Sequence, residues 1–290
     1  METRWLYTTA KDFPMLVERS KKTCIIPVGC VEKHGLHLPM GQDIIQVSRI
    51  AHEASKLEEV CIFPDFIFGD VPGANIPGSI GLPVATQLLL LEELCDEIGK
   101  SGFEKILLYN GHGGNVHWLN QFMRDINMRK KPYAVIYSMV KLWVPHKMAE
   151  MIEKDGSGII PELTKEDEEL IIKYHKEDML IGHAGMSETA YMMGISPESV
   201  HMEYLGVESG LPTRKAKYLK DVGLSIVDGG WGVEFPNAFA GHDPIGCNER
   251  MGKAQIRLEA ERFAQAIKVL KDDENIMKWH RERMEKLTAY

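Results

Sequence analysis

Short apolar runs that end in glycine-bearing polar loops, each followed by a helix-forming stretch, recur along this chain. That rhythm limits the fold more than any other feature. Cys24 to Gly29 is the first run, and its loop starts near Cys30 and ends at Asp43, a candidate N-cap for a helix from Ile44 to about Leu57. Val60 to Phe68 reads as a strand with a proline in its middle. The Gly- and Pro-rich stretch from Gly69 to Val84 reads as a long loop, after which Thr86 is expected to cap a helix from Gln87 to about Ile98. Lys105 to Asn110 is the next strand, followed by Gly111-His112-Gly113-Gly114-Asn115, a helix from Val116 to about Arg129, and a strand from Tyr133 to Val140. Strands alternating with helices at this spacing predict an α/β fold: a mostly parallel sheet with helices on both faces.

The stretch from Lys141 to Ile181 breaks the rhythm. It carries helical pieces, a Gly-rich turn, and Thr164 with Asp167 spaced as a capping box. A single domain over residues 1–290 is expected, with 141–181 as an excursion that could lie over the site as a lid. The pattern returns at Gly182-His183-Ala184-Gly185 and a helical segment from Ser187 to Met193. Gly229 to Asp243 reads as a loop holding Trp231 and two phenylalanines, and the C-terminus reads as helical from about Arg250.

Composition narrows the function classes. A formal net charge of -8 argues against nucleic acid or an anionic membrane as the main partner. No segment approaches the ~20 apolar residues of a membrane span, and no secretory signal is read at the start. Five scattered cysteines without a C-x-x-C pair suit reduced thiols, and a cytoplasmic location is expected. There is no H-E-x-x-H, no G-x-S-x-G elbow, no P-loop and no G-x-G-x-x-G.

Three loops carry the residue types of a metal centre. Glu32 and His34 stand two apart, so in an extended segment they face the same way, and Asp43 closes the same loop with two carboxylate oxygens that can bridge. Imidazole and carboxylate donors suit Zn, Mn or Fe. His112 lies between a strand and a helix, where the backbone N–H groups around Gly113 and Gly114 suit a developing oxyanion. His183 is a candidate proton shuttle, and Glu188 follows it near a helix start. His37 is placed as a supporting group or substrate contact. Any one of these loops alone would be an ordinary polar turn; together, at separate strand ends, they reinforce one another.

These residues resemble the creatininase (creatinine amidohydrolase) family. The match runs through Pro27-Val28-Gly29, Glu32-x-His34-Gly35-x-His37-Leu38-Pro39, Asp43, Asn110 to Asn115, His183-Ala184-Gly185-x-x-Glu188-Thr189, and the Gly241 to Ala254 segment. The resemblance implies a three-layer α/β/α sandwich, two divalent metal ions (Zn or Mn, with Fe admitted), and a homo-oligomer such as a hexamer. It implies one metal on Glu32, Asp43 and His112, and a second on His34, Asp43 and a further glutamate. Creatininase itself carries that glutamate two residues after the histidine of its Asn-Gly-His motif. This chain has Gly114 there, and Glu188 is the natural replacement. Trp143, within the longer 141–181 stretch, is a candidate substrate wall.

The expected activity is hydrolysis at the carbonyl of a small cyclic amide, formamide or related ring compound, by a hydroxide held between metals. Other readings are a hydrolase opening a cyclic ketone such as an inosose, a metal-dependent sugar or polyol isomerase, and a non-catalytic metal-stabilised scaffold.

Overall fold

The computed structural model describes residues 2–71, 76–140, 144–226 and 230–287. Its sheet has four parallel strands, β1 (Thr23–Val28), β2 (Cys61–Ile62), β3 (Lys105–Asn110) and β4 (Ala134–Met139), in the order β2-β1-β3-β4. The helices are α1 (Phe13–Arg19), α2 (Gln42–Leu57), α3 (Val84–Lys100), α4 (Asn115–Ile126), α5 (Val144–Asp155), α6 (Lys165–Lys176) and α7 (Met186–Ile195). Two short ones, α8 (Lys217–Lys220) and α9 (Trp231–Glu234), precede α10 (Glu249–Asp272) and α11 (Asn275–Leu287).

Every residue of β1 and β3 is buried, as strands covered on both faces require. Their side chains alternate between two cores. Cys24, Ile26, Val28, Ile106 and Leu108 pack with Leu91, Cys95 and Ile98 of α3 and with Trp118, Leu119 and Phe122 of α4. Ile25, Leu107 and Tyr109 face the other way, onto the stripe Ile44, Val47, Ile50, Ala51 and Ala54 of α2 and onto Ile256, Ala260, Phe263 and Ile267 of α10. Both stripes have helical spacing. The result is the expected α/β/α sandwich. Lys105 is a buried cation within it, and its Nζ donates to the Leu270 and Asp273 carbonyls (2.7 and 2.5 Å) where α10 ends.

The strand expected over Val60 to Phe68 is only two residues long. Pro64 has no N–H for the ladder, and β1 is met again only by a bridge from Val28 to Phe66. Two caps also differ from expectation. Gly41, not Asp43, occupies the N-cap of α2, because the Asp43 carboxylate turns toward histidines instead. Pro83, not Thr86, precedes α3, and the helix starts at Val84.

The 144–181 residues form a helical pair, α5 and α6, with a core of their own against α7 and α10, including Met148, Ile152, Ile171, Tyr174, Met186 and Met251. The Thr164–Asp167 capping box is present. Asp167 also receives Nε and Nη2 of Arg250 (2.6 and 2.9 Å) and Nδ2 of Asn248 (2.7 Å), which ties the pair to the start of α10. Between α5 and α6, one Nδ1–H of the pair His146 and His175 donates to the other Nδ1 across 2.7 Å.

The strand order places the switch in crossover direction between β1 and β3, where open α/β sheets hold their ligands. Two glycines let α2 begin there. A Cβ on Gly29, just past β1, would lie 2.8 Å from the Ile44 Cα. One on Gly111, just past β3, would lie 2.6 Å from the Asp43 carbonyl oxygen and 2.8 Å from the Val47 Cβ. Those are backbone and branched-carbon neighbours, which cannot swing aside. Gly111→Ala is therefore expected to cost about 1–3 kcal/mol by overpacking. Gly113→Ala, whose Cβ would meet nothing within 4 Å, is expected to stay within about 0.5 kcal/mol. Chemical denaturation of the two variants checks this, and equal stabilities would refute the close-approach argument.

Candidate metal centre

Five sequence-predicted donors converge at the switch point. Glu32 and His34 come from the loop after β1, Asp43 from the first turn of α2, His112 from the loop after β3, and Glu188 from the first turn of α7. All five are buried. The two Asp43 oxygens divide the centre. Oδ2 lies 2.9 Å from His112 Nδ1, and Oδ1 lies 3.5 Å from His34 Nε2. Glu32 Oε1 lies 3.2 Å from His112 Nδ1, and Glu188 Oε2 lies 3.6 Å from His34 Nε2. Two donor groups share Asp43, one with Glu32 and His112 and one with His34 and Glu188, and a third grouping of Glu32, His34 and His183 lies across them.

The outward nitrogen of each histidine fixes which nitrogen faces inward. His34 Nδ1–H donates to the Glu32 carbonyl (3.2 Å), His112 Nε2–H to the Asp70 carbonyl (2.7 Å), and His183 Nε2–H to the Lys33 carbonyl (2.9 Å). In the neutral ring each inward nitrogen then keeps the lone pair, the usual arrangement behind a metal-ligating imidazole. His183 turns its Nδ1 toward Glu32 Oε1 at 3.7 Å and stacks on His34, with ring centres 4.0 Å apart.

Two inward atoms, Glu32 Oε1 and His34 Nε2, are buried without a hydrogen-bond partner. A gap of 3.5–3.6 Å between His34 Nε2 and its carboxylates is too long for a good hydrogen bond, yet it suits two donors around one cation. Three buried carboxylates together are costly unless balanced by positive charge. The donor set fits divalent metal.

Without metal, protons supply part of that balance. Burial opposes the charged form of His34, but Asp43, Glu188 and Glu32 outweigh it and hold the imidazolium up to about 10. Burial is likewise overcome at His112, which Asp43 and Glu32 raise to about 9. Burial, with Asp43 adding to it, lifts Glu32 and Glu188 to about 7 against the pull of the histidines. Asp43 is buried too, yet His34 and His112 hold it well below the carboxylate range. His183 goes the other way: burial and the neighbouring His34 charge lower it to about 3, so it is neutral at pH 7.

The loop carrying Glu188 is held under strain. Ala184 is a buried residue at φ 59°, a left-handed conformation that costs on the order of 1–3 kcal/mol for a side-chain-bearing residue. Its N–H donates to Glu188 Oε2 at 2.6 Å, and its carbonyl accepts from His37 Nε2 at 3.0 Å. His37 thus sits behind the donors, on Ala184 and the Thr189 hydroxyl (3.2 Å), and orders the loop that presents Glu188. Asn110 and Asn115 do the same for His112. Asn110 Oδ1 accepts the His112 N–H (3.1 Å) and Asn115 Nδ2–H (3.0 Å), while Asn115 Oδ1 accepts the Asp70 N–H (2.8 Å).

Gly113 is exposed at the start of α4. Gly114 beside it admits no side chain without disturbance, since a Cβ would lie 2.5 Å from His112 Nε2 and 2.9 Å from the Asp70 carbonyl. A glutamate at 114 would collide with the bond that orients His112. Trp143 lies outside the described residues. Two neighbours of the site were not singled out in the sequence. Cys30, fully buried, donates its Sγ–H to Asp43 Oδ2 at 3.1 Å, and Trp231 meets His183 edge to face at 5.1 Å. The aromatic cluster of the Gly229 to Asp243 loop was a visible signal for Trp231; nothing in the spacing marked Cys30.

The creatininase family, described as creatinine amidohydrolase, matches residues 7–267. Creatinine amidohydrolase of Pseudomonas putida is 22% identical over 204 residues, covering 67% of this chain and 72% of that protein. The 3-dehydro-scyllo-inosose hydrolase of Thermotoga maritima is 28% identical over 182 residues, 62% of this chain and 52% of that protein. A solved structure titled creatininase Mn superposes with a TM-score of 0.70 at 16% identity over 94% of this chain and all of the other, a likeness of fold. With the family matched across almost all of its length, the chain belongs to the creatininase family of metal-dependent hydrolases.

Proposed function

We propose that the chain hydrolyses a small polar ring compound at a carbonyl, with a cyclic amide as the leading substrate class, at a two-metal centre held by Glu32, His34, Asp43, His112 and Glu188. The observation that carries this reading is the pair of donor groups sharing Asp43, with Glu32 Oε1 and His34 Nε2 buried and unpartnered inside them. Solved creatininases include manganese and zinc–zinc forms, which supports Mn or Zn here. When bound, such ions polarise a carbonyl and acidify water.

The protein groups then have separable tasks. The Nε2–H of His183 is committed to the Lys33 carbonyl, which leaves Nδ1 as the nitrogen that would relay a proton from the attacking water to the leaving atom. Trp231 limits the motion of that ring and walls the same side. The amides of Gly113 and Gly114, at the start of α4, are suited to an oxyanion. Glu188 takes the place that the family's other glutamate cannot occupy beside Gly114. A second reading, hydrolytic opening of a ring ketone, is favoured by the 28% identity to the inosose hydrolase.

Glu32→Ala and His34→Ala are expected to lose bound metal and activity together, measured by elemental analysis and by the mass of the product, which gains one water. Full metal content and full turnover in both variants would sink the proposal. His183→Asn is expected to keep its metal while losing about 10²–10⁴-fold in rate. Parallel assays with cyclic amides and ring ketones separate the two readings.

Metal uptake is expected to be pH-dependent. His34 and His112, held at about 10 and 9 in the metal-free protein, must shed protons to ligate, so affinity rises with pH across the neutral range. Below pH 7, Glu32 and Glu188 add further proton competition. The same raised values give the metal-free protein stability from these four groups that is full at acid pH. It is lost as pH rises, first through about 7 for the glutamates and then through 9–10 for the histidines. Calorimetric titration in buffers of different ionisation enthalpy checks the proton release, and a pH-independent affinity would contradict it.

A further inference from the structure

The two donor groups are not equivalent. The group of Glu32, Asp43 and His112 has a fourth member, the Cys30 Sγ, and all four donor atoms lie within 4.8 Å of one another. The other, His34, Asp43 and Glu188, has three donors. Cys30 closes the end of the run that β1 begins, and its sulfur is fully buried and 3.1 Å from the same Asp43 oxygen that faces His112 at 2.9 Å. Opposite it is Glu32 Oε1, buried and without a hydrogen-bond partner, 3.2 Å from His112 Nδ1.

We propose that Cys30 is the fourth protein ligand of the Glu32–Asp43–His112 position, so that this position is closed by sulfur and the His34–Asp43–Glu188 position is the open one that meets the substrate. The inference rests on the two-metal reading above. The donors of a tetrahedral zinc site stand on edges of about 3.3–3.6 Å, so the observed 2.9–3.2 Å spacings need only a small expansion around an ion. Four protein donors make a closed site, whereas a catalytic position keeps a vacancy for water or substrate. His183 fits that division. Its ring stacks on His34, a donor of the three-ligand position, and its free Nδ1 faces Glu32 Oε1 at 3.7 Å, so it stands between the two positions without filling the second. A sulfur donor also biases the closed position toward zinc or cobalt over manganese or magnesium. Ligation replaces the Sγ–H bond to Asp43 with a metal–sulfur bond, and the thiol proton leaves to solvent.

The competing account is that Cys30 keeps its proton and only steadies Asp43. Affinity cannot separate the two, because losing such a supporting contact already costs about 10–100-fold. Spectroscopy can. X-ray absorption at the zinc edge of the full chain, loaded to two equivalents, is expected to show one sulfur per protein at about 2.3 Å. The cobalt-loaded protein is expected to show a thiolate-to-metal charge-transfer band. Cys30→Ser should remove both signals. The remaining thiols, Cys24, Cys61, Cys95 and Cys247, sit in the apolar cores, so the wild-type spectrum alone decides the matter if the variant fails to fold. A first shell of nitrogen and oxygen only in the loaded wild type, or a sulfur signal that survives in Cys30→Ser, overturns the ligation and leaves the two-metal reading standing. A wild type that takes up no metal overturns both.

Discussion

The Asp43 carboxylate, set between the ends of β1 and β3, is the contact on which the rest of the site depends. One oxygen faces His112 and the other faces His34, so a single side chain couples two donor groups that come from different crossovers. It can do so because α2 begins directly on the strand ends, over two positions where any side chain would strike the helix backbone or the Val47 side chain. The close packing of sheet against helix, which is a matter of stability, is therefore also what fixes the spacing of the donors.

Burial gives that carboxylate its force. Asp43, Glu32 and Glu188 are removed from water together, and among the described residues the counter-charges that face them are imidazoles. The metal-free protein balances them by holding His34 and His112 protonated far above their ordinary range and by pushing a proton onto the glutamates near neutrality. That compromise leaves Glu32 Oε1 and His34 Nε2 unpartnered, an arrangement a protein tolerates when another species is meant to complete it. The strained Ala184 serves the same end, since its left-handed backbone aims one amide at Glu188 while His37 holds the carbonyl from behind.

Much of this was legible in the sequence because the fold places its polar residues where the apolar runs stop. Glu32, His34, His112 and Glu188 each follow the rhythm of run, loop and helix, and three separate loops pointing at one chemistry made the reading firm. Asp43 reads both as a bridging donor and as a cap; the cap fails, because the side chain turns away from the helix start to two histidines. The strand after α2 was overestimated because Pro64 permits extended backbone but no ladder. His37 belonged to the most conspicuous motif, yet the left-handed turn at Gly35 sends it behind the donors. Cys30 escaped because a lone cysteine after an apolar run is most often core, and only the three-dimensional return of Asp43 puts a carboxylate against its sulfur.

Gly114 shows how one backbone contact can redirect a site. The His112–Asp70 bond occupies the space that a Cβ at this position would need. The carboxylate beside His34 comes from α7, as Glu188 in its first turn, where a negative charge is also favoured by the helix dipole. That acid stands on a helix buried against α10 and backed by the α5–α6 pair, away from the exposed Gly113. The carboxylates of the site thus stand on the β1 loop, α2 and α7, and the Gly113 side presents backbone instead.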